Sequence, residues 1–167
     1  RILFLSDRSG SENLWVMNAN GSSPRQISLY DDDPIWVSPA WSADGNAAYV
    51  TRFWPDRNAY ETWAFRLDAS DATGAVLIPN WPGADRQGET LSSLGAMPSP
   101  DGRSLYYAAH SGAIGFDHPA EWQIARRELA TGKTEILVRA VGDTRLGPVQ
   151  SSVFNPVVSH DGRLLAY

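Results

Sequence analysis

The sequence contains no cysteine, only three histidines and no long apolar run. The absence of cysteine excludes a disulfide framework and any thiolate metal site, although it assigns no cellular compartment. No stretch approaches the roughly 20 apolar residues that a membrane-spanning helix needs. Charge is also sparse: 14 basic and 19 acidic residues give a net charge of −5. This balance gives no electrostatic reason to expect a nucleic acid or an anionic lipid as a partner.

Apolar and aromatic residues are plentiful. The chain is 43% hydrophobic and 11% aromatic, with seven tryptophans, which supports a packed core and argues against disorder. Runs rich in Val, Ile, Leu, Tyr and Trp alternate with Gly, Pro, Asn and Asp, whereas helical periodicity is nearly absent. The pattern therefore predicts an all-β protein, and the 167 residues suit one domain.

One short motif, Ser-x-Asp-Gly followed by a run that ends in Tyr, occurs three times. Its Asp-Gly pairs are Asp44–Gly45, Asp101–Gly102 and Asp161–Gly162, spaced by 57 and 60 residues. Asp-Gly suits the positive φ angles of a two-residue type I′ turn, so each copy predicts a tight β-hairpin. A hairpin that recurs at this period indicates similar modules placed side by side.

Four strands can be assigned to each repeat, which is the composition of a β-propeller blade. We expect blade 1 at about 1–30, without its first strand, blade 2 at about 38–79, blade 3 at about 95–139 and the start of blade 4 at about 155–167. A sandwich or a closed barrel does not predict turn chemistry that recurs every fourth strand. The strands are too few for a closed ring, so the prediction is an open propeller sector of about three blades plus the start of a fourth. The sequence begins and stops within strand-like runs, and we therefore expect a fragment of a longer chain.

The connections between strands fall into two groups by length. The Asp-Gly turns and the turns at Asn20–Gly21, Thr73–Gly74 and Thr131–Gly132 are short. The longer connections span 29–38, 54–60, 80–95, 110–121 and 140–154. Because neighbouring strands alternate in direction, the long connections project from one edge of the blades, here called the elaborated rim. The tight turns lie on the opposite edge, the plain rim.

Long loops on a rigid scaffold commonly carry binding residues. The elaborated rim is therefore the predicted contact surface, and Trp54, Trp81 and Phe116 are its candidate contact residues. Trp15, Trp63 and Trp122 fall on equivalent strands instead, which indicates packing between blades. The expected partners are the remaining blades and a catalytic domain of the same chain, or another protein.

Residues with catalytic or metal-binding chemistry are scarce. A metal set could be drawn from His110, Asp117 and His118, but a polar loop that contains glycine is more often simply solvated. The run Asp31–Asp33 could attract calcium, yet it lacks the spacing of a known calcium loop and resembles a solvated acidic turn. His160 precedes Asp161 at a turn position, not in a catalytic triad. We therefore predict no catalytic, cofactor-binding or metal-binding residue in this segment.

Two further motifs have local explanations. Asp7–Arg8 is expected to be structural, with Asp7 capping the backbone after the first strand and Arg8 lying over the neighbouring strand. Asn20-Gly-Ser22 matches a glycosylation sequon, but the turn chemistry of Asn-Gly accounts for it.

The segment Ile2–Gly21, followed by Arg25–Ser28, has a recognisable order: a strand, Ser-Asp-Arg-x-Gly, a strand ending in Met, an Asn-x-x-Gly turn and another strand. It resembles the TolB-type (PD40, WD40-like) propeller repeat, and the Ser-x-Asp-Gly hairpins fit the same repeat. The resemblance covers essentially the whole chain and implies a β-propeller. The long insertions depart from the compact repeat of TolB itself.

Segments 103–132 and 155–167 are also similar to the N-terminal propellers of a class of bacterial amidohydrolases. This second resemblance implies a non-catalytic module of a larger, periplasmic or secreted hydrolase, with any divalent metal in a catalytic domain outside this segment. Two alternatives remain open: a TolB-like interaction module with no enzyme attached, and the gating propeller of a prolyl-oligopeptidase-type serine peptidase. The residues that separate the three lie outside this chain.

Overall fold

A computed structural model describes residues 1–56, 59–69, 74–78, 93–110, 122–138 and 156–166. Within these ranges the chain forms β-strands and no helix. The strands are β1 (Ile2–Ser6), β2 (Asn13–Met17), β3 (Arg25–Gln26), β4 (Ile35–Trp41), β5 (Ala47–Trp54), β6 (Ala59–Arg66), β7 (Ala75–Ile78), β8 (Ser93–Pro98), β9 (Ser104–His110), β10 (Trp122–Glu128), β11 (Thr134–Val138), β12 (Val157–Val158) and β13 (Leu165–Ala166).

These strands form four antiparallel sheets in chain order. Their strand orders are β1-β2-β3, β4-β5-β6-β7, β8-β9-β10-β11 and β12-β13, and we call them blades 1 to 4. Consecutive blades pack face to face, with β4 lying against both β1 and β8. The all-β, open propeller sector predicted from the repeat is confirmed.

Two apolar seams hold the blades together. The alternation of a strand sends Ala48 and Val50 of β5 toward blade 1, where they pack with Leu14, Trp36 and Phe65. A second cluster, formed mainly by Ala96, Tyr107, Ala109, Ala125 and Ile78, fills the seam between blades 2 and 3. Among the described residues of the two seams, the tryptophans Trp36, Trp41 and Trp63 lie in the first.

The Asp-Gly hairpins differ from the predicted type I′ geometry. Gly45 has a φ of +70°, but Asp44 is not among the residues with positive φ, and the other two copies behave alike. The hairpin closes with Ser42 N–H donating to the Ala47 carbonyl at 2.9 Å, so the turn encloses residues 43–46. Gly45 N–H also donates to the Ser42 carbonyl at 2.9 Å. This longer turn needs only one left-handed residue, and the type I′ prediction is wrong.

The connection between β5 and β6 is shorter than the sequence suggested. β5 continues to Trp54 and β6 begins at Ala59, so the connection covers 55–58 instead of 54–60. Phe53 faces Tyr60 across the ladder, and their rings stack with centroids 4.6 Å apart. This cross-strand aromatic pair favours extension of the hairpin beyond the point where its turn residues begin.

The other connections of the elaborated rim are only partly described. The connection between β3 and β4 covers 27–34, because β4 begins at Ile35 and not near Pro39. The segments 79–92, 111–121 and 139–155 lie outside the described residues. Within the described part of the chain, no helix is long and apolar enough to cross a membrane.

Candidate functional site

Several residues that the sequence singled out cannot be placed. Trp81, Phe116, Asp117 and His118 lie outside the described residues, and for His110 only the backbone, at the end of β9, is described. The contact and metal predictions for these residues therefore remain predictions. Among the residues that the structure does describe, no group of three or more His, Asp or Glu could hold a metal ion.

The three Ser-x-Asp-Gly turns on the plain rim share one hydrogen-bond pattern. In each, the serine hydroxyl donates to the aspartate at 2.6 Å, as Ser42 does to Asp44 and Ser99 to Asp101. The backbone N–H two residues after the aspartate donates to the same carboxylate oxygen, at 3.0 Å from Asn46. The serine hydroxyl and then this N–H hold the pKa of Asp44 below its ordinary value. The turns thus use their polar groups internally, as expected for structural elements.

Asp7–Arg8 also has a structural role. Gly10 N–H donates to the Asp7 carbonyl at 2.8 Å, which closes the turn after β1. The Arg8 guanidinium carbon lies 5.0 Å from the ring centres of both Phe4 and Trp15, a cation–π geometry. Arg8 therefore lies over the neighbouring strand, as predicted, although the cap is formed by the carbonyl of Asp7 and not by its side chain.

The elaborated-rim end of the seam between blades 1 and 2 holds an unexpected charged group. Arg52 of β5 is 4% exposed and points in the same direction as Ala48 and Val50. It donates to Asp32 at 2.5 Å, while the Asp32 side chain is 54% exposed. The ion pair therefore joins a buried guanidinium to a carboxylate that is partly in contact with solvent.

Aromatic rings surround the Arg52 guanidinium. Its central carbon lies 3.9 Å from the ring centre of Trp54, 5.3 Å from Tyr30, 5.5 Å from Trp36 and 5.9 Å from Trp63. Arginine stacks on aromatic faces because its planar, weakly hydrated cation is attracted by the ring quadrupole. We call this group the Arg52 cluster, which consists of Tyr30, Asp32, Trp36, Arg52, Trp54, Glu61 and Trp63.

Glu61 fixes the two outer indoles of the cluster. It lies opposite Arg52 in the β5–β6 ladder and is 8% exposed. Its Oε2 accepts hydrogen bonds from Trp54 Nε1 at 2.8 Å and from Trp63 Nε1 at 3.3 Å. These bonds orient both rings toward the guanidinium, so the cluster is pre-organised.

Trp54 is therefore not the loop residue that the sequence predicted. It ends β5, pairs with Ala59 across the ladder and is half-buried. Its edge is anchored by Glu61 while its face covers Arg52. Trp54 is a fixed element of the elaborated rim and not a side chain on a long loop.

The connection 27–34 brings the first blade into the cluster. Asn13 of β2 accepts from the Tyr30 N–H at 3.0 Å and donates to its carbonyl at 2.8 Å. Glu12 accepts from the Trp36 N–H at 2.9 Å, and Ser11 donates to Asp33 at 3.2 Å. The acidic run Asp31–Asp33 is thus partly engaged within the protein and is not simply solvated.

Burial raises the pKa of the Tyr30 hydroxyl, against the opposing effects of a hydrogen bond from Gly74 and the charge of Arg52.

Comparison between blades shows that the Arg52 cluster is not part of the propeller repeat. Arg52 and Glu61 face each other in blade 2, and Ala109 and Gln123 face each other at the matching place in blade 3. The repeat spacing of 57 likewise places Ser93 of blade 3 where blade 2 has Trp36. The Arg52–Glu61 pair and Trp36 are therefore specific to blade 2 and are not required by the repeat itself.

Trp122 also differs from its predicted position. It pairs with His110 at the rim end of the β9–β10 ladder, whereas Trp63 pairs with Val50 in the middle of its blade. The Trp122 ring packs edge-on against Tyr60, with centroids 5.8 Å apart. Trp63 does pack in the seam between blades 1 and 2. Trp15 instead lies on the other face of blade 1, against Phe4 and Arg8, and Trp122 belongs to an aromatic group at the elaborated rim on the other side of blade 2.

Sequence reasoning missed Arg52, Tyr30 and Glu61. One signal was present: Arg52 falls in the apolar phase of the alternating run Ala47–Trp54. Alignment of the two full repeats would have shown that alanine takes this place in blade 3. The pairing with Asp32 could not have been found, because it depends on the path of the 27–34 connection.

Comparison with known proteins supports the fold. No protein-family model and no curated protein sequence matches the chain. A solved TolB-type structure from Agrobacterium tumefaciens is 18% identical, with a TM-score of 0.65, over 96% of this chain and 47% of that one. An oligogalacturonate lyase in complex with manganese is 13% identical, with a TM-score of 0.53, over 91% of this chain and 36% of that one.

A puromycin-hydrolyzing peptidase of Mycobacterium tuberculosis is also similar, at 13% identity over 79% of this chain and 25% of that one. Its TM-score of 0.40 carries no argument about function. The chain thus spans about half the length, or less, of the solved structures described here. At these identities the likeness concerns the fold alone. The chain has the fold of a TolB-like β-propeller, of which it forms an open sector.

Proposed function

We propose that this chain is a non-catalytic β-propeller module of a larger bacterial hydrolase, an amidohydrolase, and that a companion domain docks on its elaborated rim around blade 2. The observation that carries the proposal is the Arg52 cluster. It gathers tryptophan, tyrosine and arginine, the residue types that dominate binding energy at protein interfaces, at one rim of one blade.

The cluster has the pre-organisation that an interface anchor needs. Trp54 is held at its edge by Glu61 and at its face by Arg52, so little side-chain freedom remains to be lost on binding. Phe53 and Tyr60 extend the aromatic surface toward blade 3. A docking surface therefore spans both faces of blade 2 at the same rim.

The plain rim offers a contrast. Its Ser-x-Asp-Gly turns satisfy their polar groups internally, and its aromatic residue Trp41 is covered by Arg1 at 5.0 Å. The three Ser-x-Asp-Gly turns of this rim share one hydrogen-bond pattern, whereas the Arg52–Glu61 pair of blade 2 is replaced by Ala109 and Gln123 in blade 3. The two rims therefore support different roles, docking on one side and blade closure on the other.

The hydrolase assignment rests on the sequence resemblance of blade 3, and the periplasmic or secreted location rests on the TolB-type repeat. A TolB-like module that binds a separate protein would use the same surface. The two differ in whether the bound domain belongs to the same polypeptide. A gating propeller of a serine peptidase gains no specific support from the described residues.

The test is a matched pair of substitutions in the intact protein that carries this chain. Trp54→Ser should weaken docking or alter activity, whereas Trp41→Ser at the plain rim should leave both unchanged. Both side chains are half-buried and lie against an arginine. A difference between the two variants therefore reports the rim on which the tryptophan lies. Thermal unfolding of both variants checks that the blades remain folded. Equal effects of the two substitutions would contradict the proposal, and loss of a separate protein partner alone would favour the interaction module.

A further inference from the structure

The Arg52 cluster contains more hydrogen-bond donors than acceptors. Four buried side-chain polar atoms in the described part of the chain lack a hydrogen-bond partner, and two of them, Arg52 Nε and Trp36 Nε1, belong to this cluster. Both residues are more than nine-tenths buried. A buried donor without an acceptor is costly, so two in one cluster are a feature that requires an explanation.

The existing partner uses only part of the guanidinium. Asp32 accepts from Nη2 of Arg52, while the adjacent Nε has no acceptor. The two nitrogens on that edge form a fork that matches the two oxygens of a carboxylate. Asp32 therefore accepts one of the two hydrogen bonds that this edge of the guanidinium can donate.

Asp32 is also the one member of the ion pair that can leave at low cost. Its side chain is 54% exposed, so its charge would be solvated after release, and the 27–34 connection remains tied to blade 1 through Tyr30 and Asp33. Arg52 is held in place by its aromatic rings and has no comparable freedom. An incoming anion could replace Asp32 without disturbing the seam.

From these observations we propose that the Arg52 cluster is an anion-binding site, in which a carboxylate group of the ligand replaces Asp32 and binds Nη2 and Nε of Arg52 together. Trp54 covers the guanidinium at 3.9 Å and forms one wall of the site. Asp32 acts as a built-in competitor that occupies the site when no ligand is present. The ligand class is a carboxylate, either free or as an acidic side chain of the docking partner.

The proposal can be tested on the chain itself, independently of any docking. Acetate is titrated against the protein while the NMR signal of Arg52 Nε–H and tryptophan fluorescence are recorded. The neutral isostere acetamide and inorganic phosphate serve as the second and third probes. A response to acetamide equal to that of acetate would mean that the site takes a neutral acceptor, and would overturn the proposal. A stronger response to phosphate would reassign the anion class and overturn the carboxylate assignment.

Asp32→Asn removes the competitor and should tighten acetate binding about fivefold, the factor that corresponds to about 1 kcal/mol for an ion pair whose carboxylate is half-exposed. The matched control is Asp68→Asn, which frees Arg66 from a fully exposed ion pair on the plain rim. Arg66 then reports non-specific binding of acetate. If Arg52 in the Asp32→Asn protein responds no more strongly than Arg66 in the control, the proposal is wrong.

Arg52→Lys tests the fork directly, because lysine keeps the charge but not the geometry. It should lose most of the acetate affinity, and retention of the full affinity would overturn the bidentate assignment. In the intact protein, the same substitution separates the two sources of carboxylate. Loss of docking would identify the ligand as an acidic side chain of the partner, and intact docking with lost acetate binding would identify it as a free carboxylate. Should docking fail to map to this rim, acetate binding by the isolated chain would still decide the present inference.

Discussion

At the residue scale, a single serine hydroxyl organises each Ser-x-Asp-Gly hairpin of the plain rim. Ser99 donates to Asp101 at 2.6 Å and accepts the Ser104 N–H at 2.9 Å, so one oxygen links the turn to the next strand. Ser99 and Ser42 are buried, whereas Ser159 in the last hairpin is half-exposed. The same chemistry thus occurs at two levels of burial.

We expect Ser99→Ala to lower the free energy of unfolding by about 1–2 kcal/mol, because it leaves the partly buried Ser104 N–H without its acceptor. Ser159→Ala removes the same bonds at a more exposed position and should cost less. Denaturant unfolding of both variants measures the difference. Equal losses would show that burial does not control the contribution of this hydroxyl.

The pH dependence of these turns follows from the same bond. The Ser99 hydroxyl, and then the Arg103 N–H, hold the pKa of Asp101 below its ordinary value. A lowered folded pKa gives stability that is present above the unfolded pKa of about 3.9 and is lost as the pH falls through the folded pKa. Ser99→Ala should raise the pKa of Asp101 toward the ordinary value, which a carboxyl-carbon NMR titration can follow. An unchanged Asp101 pKa would assign the shift to another cause.

At the element scale, the aromatic seam between blades 1 and 2 depends on close approach of the backbone at Gly74. A Cβ atom there would lie 2.5 Å from Cζ and 2.6 Å from Cε1 of Phe65, and 2.9 Å from Cε3 of Trp63. The start of β7 therefore has no room for a side chain, because the two rings already occupy that space.

Gly74→Ala should destabilise the protein by about 1–3 kcal/mol through overpacking. It should also change the near-ultraviolet circular dichroism, since Phe65 and Trp63 must move. Gly21→Ala is the control: its φ of +84° makes it strained, but nothing lies within 4 Å of the added Cβ. The control should cost about 1 kcal/mol through backbone strain and leave the aromatic spectrum unchanged. An unchanged aromatic spectrum for Gly74→Ala would contradict the packing described for this seam.

Most strands could be predicted from the sequence because apolar alternation and Gly turns specify them locally. β7 (Ala75–Ile78) and β11 (Thr134–Val138) end within about one residue of the predicted ends of blades 2 and 3, at about 79 and 139. Errors arose where particular side-chain contacts decide the structure. The pairing of Phe53 with Tyr60 extends the β5–β6 hairpin beyond the point where the turn residues predicted its end. The Ser42–Asp44 hydrogen bond favours a turn that Asp-Gly alone does not specify. The Arg52 cluster joins Tyr30, Asp32 and Glu61, which no local pattern brings together.

At the scale of the whole molecule, the features that recur from blade to blade form the scaffold, and the features found at one blade are additions to it. Turn geometry recurs at Gly45, Gly102 and Gly162, whose φ angles are +70°, +69° and +71°. The Arg52 cluster lies at blade 2 and the 27–34 connection that leads into it, on the rim opposite these turns, and blade 3 has Ala109 at the place of Arg52. A module built this way can present a specific surface without altering the repeat that supports it.

A substitution at one rim should have little effect on the property that depends on the other rim, stability for the plain rim and docking for the elaborated rim. Turn substitutions such as Ser99→Ala act on the plain rim and should lower stability without changing docking. Trp54→Ser should change docking with little effect on the plain-rim turns. Unfolding and docking measurements on both variants check this separation, and a turn variant that weakens docking while it remains folded would contradict it.

The central claim is that the elaborated rim around blade 2 is the docking surface, and hydrogen exchange tests it most directly. The measurement compares the isolated chain with the intact protein that carries it. We expect slower exchange in the intact protein for amides of the 27–34 connection and of the β5–β6 hairpin, with the turns at 42–46 and 99–103 unchanged. Protection confined to those plain-rim turns, or none at the Arg52 cluster, would contradict the account.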